Sequence, residues 1–165
     1  MPPPPGLSRL DLPGADASPR RSMYLQPGGL IATAEPTEVV TLLGSCVAVC
    51  LFDSRARVGG VNHFLLARAP SSDRSPRYGT NAMALLVEGV LAQGADPSAL
   101  QAKVFGASST MRGLSGHSLA AENVKVALHA LEEAGIPVLE LEVGGERGRK
   151  LAFHTDVGAA WVRRL

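Results

Sequence analysis

The stretch VAVCLFDSRARVGGVNHFLLA, residues 47–67, constrains the fold more than any other. A Val-rich apolar run from Cys46 closes on Asp53, the polar Ser-Arg-Ala-Arg segment turns the chain, and a second apolar run starts at Val58. Two such runs around a short polar turn read as a β-hairpin. A two-residue loop at Ser54-Arg55 puts Cys46 directly across from His63, and a four-residue loop pairs Cys46 with Leu65. Either way His63 shares a face with Cys46, opposite or diagonal, within the ~4.5 to 8 Å over which cross-strand side chains meet. A three-residue loop would separate them, so the pair depends on an even loop.

The residues in front of this hairpin bear on chemistry. Gly44-Ser45-Cys46 forms a corner with successive backbone N–H groups, and Gly44 permits a tight bend. A neighbouring imidazole can take a thiol proton, leave a thiolate–imidazolium pair with a lowered cysteine pKa, and so make a nucleophile. Attack on a carbonyl builds an oxyanion that the corner's N–H groups could hold. Val47, Val49 and Leu51 would anchor the strand's other face in a core, and Gly59-Gly60 suggests a bulge or an open approach. The plainer readings stand beside these: free cysteines are commonly buried small hydrophobes, and a lone histidine is commonly a satisfied core residue. Core filling suits Cys50. His117 falls in a glycine- and serine-rich loop, His129 on a polar helix face and His154 in a terminal strand, which gives none of them a chemical role. A zinc site from Cys46, Cys50 and His63 lacks a fourth ligand, and strand spacing spreads the sulfurs, so no metal or other cofactor is expected.

Elsewhere the pattern is mixed α and β. Residues 80–94 carry Met83, Leu86, Val87 and Val90 at helical spacing, with Thr80 or Asn81 as cap and Gly94 as stop. Asp96-Pro97 opens a short turn, KVFGA is a strand, and SSTMRGLSGHS is expected to be a mobile loop. Val124, Ala127, Leu128 and Leu131 mark a second helix ending at Gly135, and IPVLELEV, KLAFHT and AAWVRRL read as three strands. Residues 1–22 hold six of the twelve prolines and few bulky apolar groups, which predicts a disordered leader before one domain, residues 23–165. They lack the apolar region of a signal peptide, and no stretch approaches a membrane helix. A formal net charge of +1 gives no reason to expect nucleic acid. Two cysteines are too few for a disulfide framework, and a soluble, cytoplasmic protein is expected.

In order along the chain, LQPGGL, TLLGSCVAVCLFD, GGVNHFLLA, RYGTNAMALL, KVFGA, GIPV and GRKLAFHTDVGAAWVRRL resemble the CheD family of chemoreceptor glutamine deamidases, over about residues 23–165. The Gly-Ser-Cys corner followed by Asn-His is the specific part. The resemblance implies an α/β fold, with β-sheets packed on two main helices, shared with cysteine deamidase toxins. It also implies hydrolysis of selected receptor glutamine side chains to glutamate, with Cys46 as nucleophile and His63 as base. Gly44 and Ser45 are the oxyanion support read from the corner; for the third active-site role either local backbone bending brings in Thr41, another group fills it, or the activity is weaker. The implied partners are the cytoplasmic helices of chemotaxis receptors and a CheC-type phosphatase. Receptor methyl esters are a further substrate the same machinery could cleave.

The chain also departs from the family pattern. A Thr or Ser six residues before the cysteine is the family's third active-site group, but Val40 stands there and the hydroxyl of Thr41 comes one place later. Strand alternation then sends Thr41 to the other face from position 40. LAAENV keeps only Asn123 of a Gly-x-Arg/Lys-Asn pattern, and VFGASSTM replaces a Gly-Gly-Ala before Met. These departures are what would favour a non-catalytic adaptor for a CheC-type phosphatase. A cysteine peptidase is a second alternative, without a substrate-binding signature in the sequence.

Overall fold

The loop of the hairpin has four residues, 54–57, so Ala48 lies opposite His63 and Val47 opposite Phe64. The computed structural model describes residues 19–109 and 114–165, the backbone alone for 114–117. The hairpin strands are β4 (Val47–Asp53) and β5 (Val58–Phe64), and all fourteen of their residues are buried. Asp53 shapes the turn, its Oδ1 accepting the N–H groups of Arg55 and Ala56 at 3.1 Å each.

Such burial requires a layer on each side of the hairpin. The other strands are β1 (Arg21–Tyr24), β2 (Leu30–Thr33), β3 (Thr37–Leu43), β6 (Gln101–Gly106), β7 (Val138–Val143), β8 (Arg149–His154) and β9 (Ala160–Arg164); the helices are α1 (Gly79–Ala92) and α2 (Leu114–Glu133). One sheet has the order β2-β5-β4-β6-β7, the other β1-β3-β8-β9. Alternation along β4 sends Val47, Val49 and Leu51 toward Met83, Leu86 and Leu131 of the helices. Ala48, Cys50 and Phe52 point the other way, onto Val39, Leu43, Leu151 and Phe153 of the second sheet. Helices, five-stranded sheet and four-stranded sheet therefore stack as three layers. Each fully buried Leu or Phe in them contributes roughly 1.5–3 kcal/mol.

Several elements differ from their sequence-based expectation for local reasons. Gly59-Gly60 makes no bulge, and the β4–β5 register runs straight through it. Instead, a Cβ on Gly59 would collide with the Thr155 carbonyl, so the glycine lets the two sheets close on each other. Tyr78, not Thr80 or Asn81, occupies the α1 cap. The Asn81 amide donates instead to the carbonyls of Asp73 and Ser75 and ties down the preceding loop. Gly94 follows α1 with φ +108°, where the glycine stop was expected. α2 begins at Leu114, inside the segment expected to be a loop; residues 110–113 of that segment lie outside the described residues. Position 117 is therefore helical.

The first strand straddles residue 23. β1 starts at Arg21 and runs parallel to β3. Arg20 is buried, and its Nε lies 2.8 Å from Asp156 Oδ1. A buried carboxylate requires such a partner, so the chain is structurally committed before residue 23. Residues 1–18 lie outside the described residues.

Candidate active site

The two sheets meet at His63. It projects from β5 toward the four-stranded sheet, is 1% exposed, and its Nδ1 lies 2.7 Å from Thr41 Oγ1. Thr41 comes from β3, whose inward residues are Val39, Thr41 and Leu43, while Val40 packs outward with Ala152 and Trp161. The expectation that position 40 faces the site is therefore overturned. The face that looks at His63 is the face that carries Thr41.

A proton count fixes the histidine tautomer. Thr41 Oγ1 donates to the Leu25 carbonyl at 2.8 Å, and a carbonyl can only accept. The single hydroxyl proton is thus committed to Leu25, and Oγ1 receives the Nδ1–H of His63. Nε2 is left with its lone pair, buried and without a hydrogen-bond partner among the described residues. The main chain holds the ring in place as well. The Gly28 N–H donates to the His63 carbonyl at 2.7 Å, and the His63 N–H donates to the Gly29 carbonyl at 3.1 Å. Gly28 sits at φ +82°, a conformation that suits glycine in the turn written QPGG. LQPGGL carries part of the family resemblance, but sequence alone assigns no role to the Leu25 carbonyl or to this turn.

Cys46 lies just before β4 and packs against the cluster shared by the two sheets, on the face that carries Ala48 and His63. It is partly buried, as catalysis by a thiol would need, whereas Cys50 is wholly buried. Burial pushes the Cys46 thiol above its ordinary pKa, with the residue's own backbone N–H acting against that. Burial also lowers the His63 pKa to about 4. Both shifts favour the neutral forms, a thiol at Cys46 and an imidazole at His63. The low-polarity gap between the sheets disfavours both charges.

The corner is pinned through its carbonyls. Gly44 accepts from the Ser108 N–H at 2.9 Å and Cys46 from the Ala107 N–H at 2.8 Å. Ser45 accepts from the Asn123 side-chain amide at 3.1 Å. Ala107 adopts φ 55° after Gly106 at φ +115°, and a Cβ on Gly106 would collide with the Cys46 carbonyl. The Gly-Ala reversal after β6 thus presses directly on the corner. A pocket of about 440 Å³ opens past Ala107, lined also by Ser109, Ala120, Val124, Val143 and Glu146. The structure brings together Thr41 and His63 and sets Cys46 on their face with Gly44 and Ser45 preceding it; Cys50 shares that face but is wholly buried, and His154 is bonded to Glu38.

Comparison with known proteins places the chain in a family. A structure titled Bacillus licheniformis hypothetical protein YfiH aligns over 74% of this chain and 58% of that chain, with 15% identity and a TM-score of 0.46. A protein of Anaeromyxobacter dehalogenans named "Probable chemoreceptor glutamine deamidase CheD 1" is 54% identical over 147 residues, 88% of this chain and 86% of that protein. A Rhodospirillum rubrum protein named "Probable chemoreceptor glutamine deamidase CheD" is 41% identical, over 86% of this chain and 81% of its own length. The family model described as CheD chemotactic sensory transduction matches residues 65–164, which begin just after His63. With that match and this degree of identity over most of its length, the chain belongs to the CheD family.

Proposed function

We propose that the protein hydrolyses glutamine side-chain amides of chemotaxis receptors to glutamate, in the cytoplasm, through a thioester on Cys46. The observation that carries this reading is the Leu25–Thr41–His63 relay, which leaves Nε2 of His63 unprotonated and unpartnered on the face of Cys46. A base buried without a partner costs roughly 1–3 kcal/mol, which a purely structural histidine has no reason to retain.

The reaction proceeds in two halves. As Cys46 Sγ attacks the amide carbon, His63 Nε2 takes the thiol proton, so neither charge exists before substrate is present. The carbonyl oxygen becomes an oxyanion held by N–H groups of the Gly44-Ser45-Cys46 corner. His63 returns the proton to the amide nitrogen, the C–N bond breaks, ammonia leaves and a thioester remains. Nε2 then takes a proton from water, hydroxide adds to the thioester carbon, and collapse releases glutamate with the thiol restored. Thr41 acts throughout by holding Nδ1–H, which keeps the ring oriented and supports the imidazolium once it forms.

Incubation with a receptor cytoplasmic fragment followed by peptide mass spectrometry tests the reading. Conversion of particular glutamines to glutamates is expected, abolished by Cys46→Ala and His63→Ala and retained by Cys50→Ala. Unmodified glutamines, with binding to a CheC-type phosphatase retained, would establish the adaptor in its place.

A further inference from the structure

Asn123 lies on α2, far from the thiol in sequence, yet it is fully buried and reaches the corner. Its Nδ2 donates to the Ser45 carbonyl and to the Leu65 carbonyl, each at 3.1 Å. One amide group thus bridges the corner to the chain just beyond β5, across the open end of the hairpin. The other half of the side chain is idle: Oδ1 is buried without a hydrogen-bond partner among the described residues. An apolar residue would avoid that cost, so the Nδ2 contacts need a reason.

Peptide geometry supplies one. In a trans peptide the C=O of one residue and the N–H of the next point in opposite directions within one plane. No cis peptide bond occurs among the described residues. Holding the Ser45 carbonyl toward α2 therefore holds the Cys46 N–H away from α2. That N–H is also the group that acts on the Cys46 sulfur itself. During acyl transfer the developing oxyanion is separated from Sγ by a single carbon, so a donor close to Sγ is close to the oxyanion.

We infer that Asn123 is a positioning residue for the oxyanion site: by clamping the Ser45 carbonyl it aims the Cys46 N–H at the oxygen of the reacting amide. This rests on the deamidase reading above and adds to it a residue from the helical layer. Without the clamp the flanking Gly44 and Cys46 carbonyls are still held, but the Ser45–Cys46 peptide between them loses its own restraint.

Two rates separate this role from a structural one. Deamidation builds an oxyanion, whereas alkylation of Cys46 by iodoacetamide is displacement at a saturated carbon and builds none. The second reaction reports the thiol and His63 only. For Asn123→Ala we expect kcat to fall roughly 10- to 100-fold with KM within about threefold. Alkylation should change by less than about threefold, because burial rather than that N–H dominates the acidity of the thiol. Asn123→Asp preserves volume, removes the donor when ionised, and serves as the second variant should Asn123→Ala fail to fold. A kcat within about twofold of wild type, or alkylation that falls in step with kcat, overturns the assignment. A wild-type chain that alkylates normally but converts no glutamine overturns the deamidase reading and this assignment with it. An active wild type beside a fully active Asn123→Ala overturns the assignment alone.

Discussion

The Thr41 hydroxyl has one proton and two neighbours, and its preference for the Leu25 carbonyl decides what His63 can do. Thr41→Val removes the hydroxyl at nearly constant volume, leaving Nδ1–H buried and unpaired. We expect kcat to fall about 10- to 100-fold and stability by roughly 2 kcal/mol, read from ammonia release and thermal melts. Val40→Thr should leave kcat unchanged, since that side chain packs with Ala152 and Trp161 beyond reach of the imidazole; a change in kcat would contradict the orientation of β3. The acidity of the pair gives a second expectation. In the proposed mechanism His63 must be unprotonated to act as base, and burial lowers its pKa to about 4. The acid limb of kcat/KM should accordingly lie near pH 4, with activity lost as pH falls through it, instead of near the ~6.5 of an ordinary histidine. Iodoacetamide alkylation of Cys46 should keep rising with pH beyond the ordinary thiol range, because burial raises that pKa. Sequence makes the Cys46–His63 face readable through strand parity alone, but not the charge state, which is set by how much of each side chain the second sheet covers.

At the scale of elements, the hairpin was legible because its parity survives any even turn and because Asp53 and Val58 bracket the loop. β1 to β3 were not. Their surroundings include Pro27, Gly28, Gly29 and Pro36, which read as breaks, and the partners of β2 and β3 lie in β5 or more than a hundred positions away in β8. The start of α2 was hidden for the converse reason: Ser115 and Gly116 are poor helix formers, tolerated in its first turn. Gly59 illustrates a residue whose role only the layering reveals. Gly59→Ala places a methyl against the Thr155 carbonyl and should cost about 1–3 kcal/mol as the sheets are forced apart, measured by urea unfolding. Because Gly59 and His63 lie on the same strand and the same face, the separation should also weaken the Thr41 contact. The drop in kcat should therefore exceed that caused by Thr80→Ala, a substitution on the exposed side of α1.

For the molecule as a whole, the segment before β1 matters more than its composition suggests. Arg20 and Arg57 both bond the buried Asp156, so that segment and the β4–β5 turn converge on one carboxylate after β8. A chain beginning at residue 23 should melt roughly 6–12 °C below one beginning at residue 19, having lost Arg20 and half of β1; equal melting temperatures would show that the ion pair and strand contribute nothing. The order β1-β3-β8-β9 has a consequence for how the protein comes to life on the ribosome. β4, β5 and α1 are consecutive and can assemble early, but β3 acquires its central neighbour only when β8 has been synthesised. Long-range pairing of this kind is slow to form, since the intervening loop must close first. The hydroxyl on β3 is therefore held against the imidazole on β5 only after Arg149–His154 has emerged, and a nascent or truncated chain carries the Cys46 thiol before the imidazole proposed as its base is oriented.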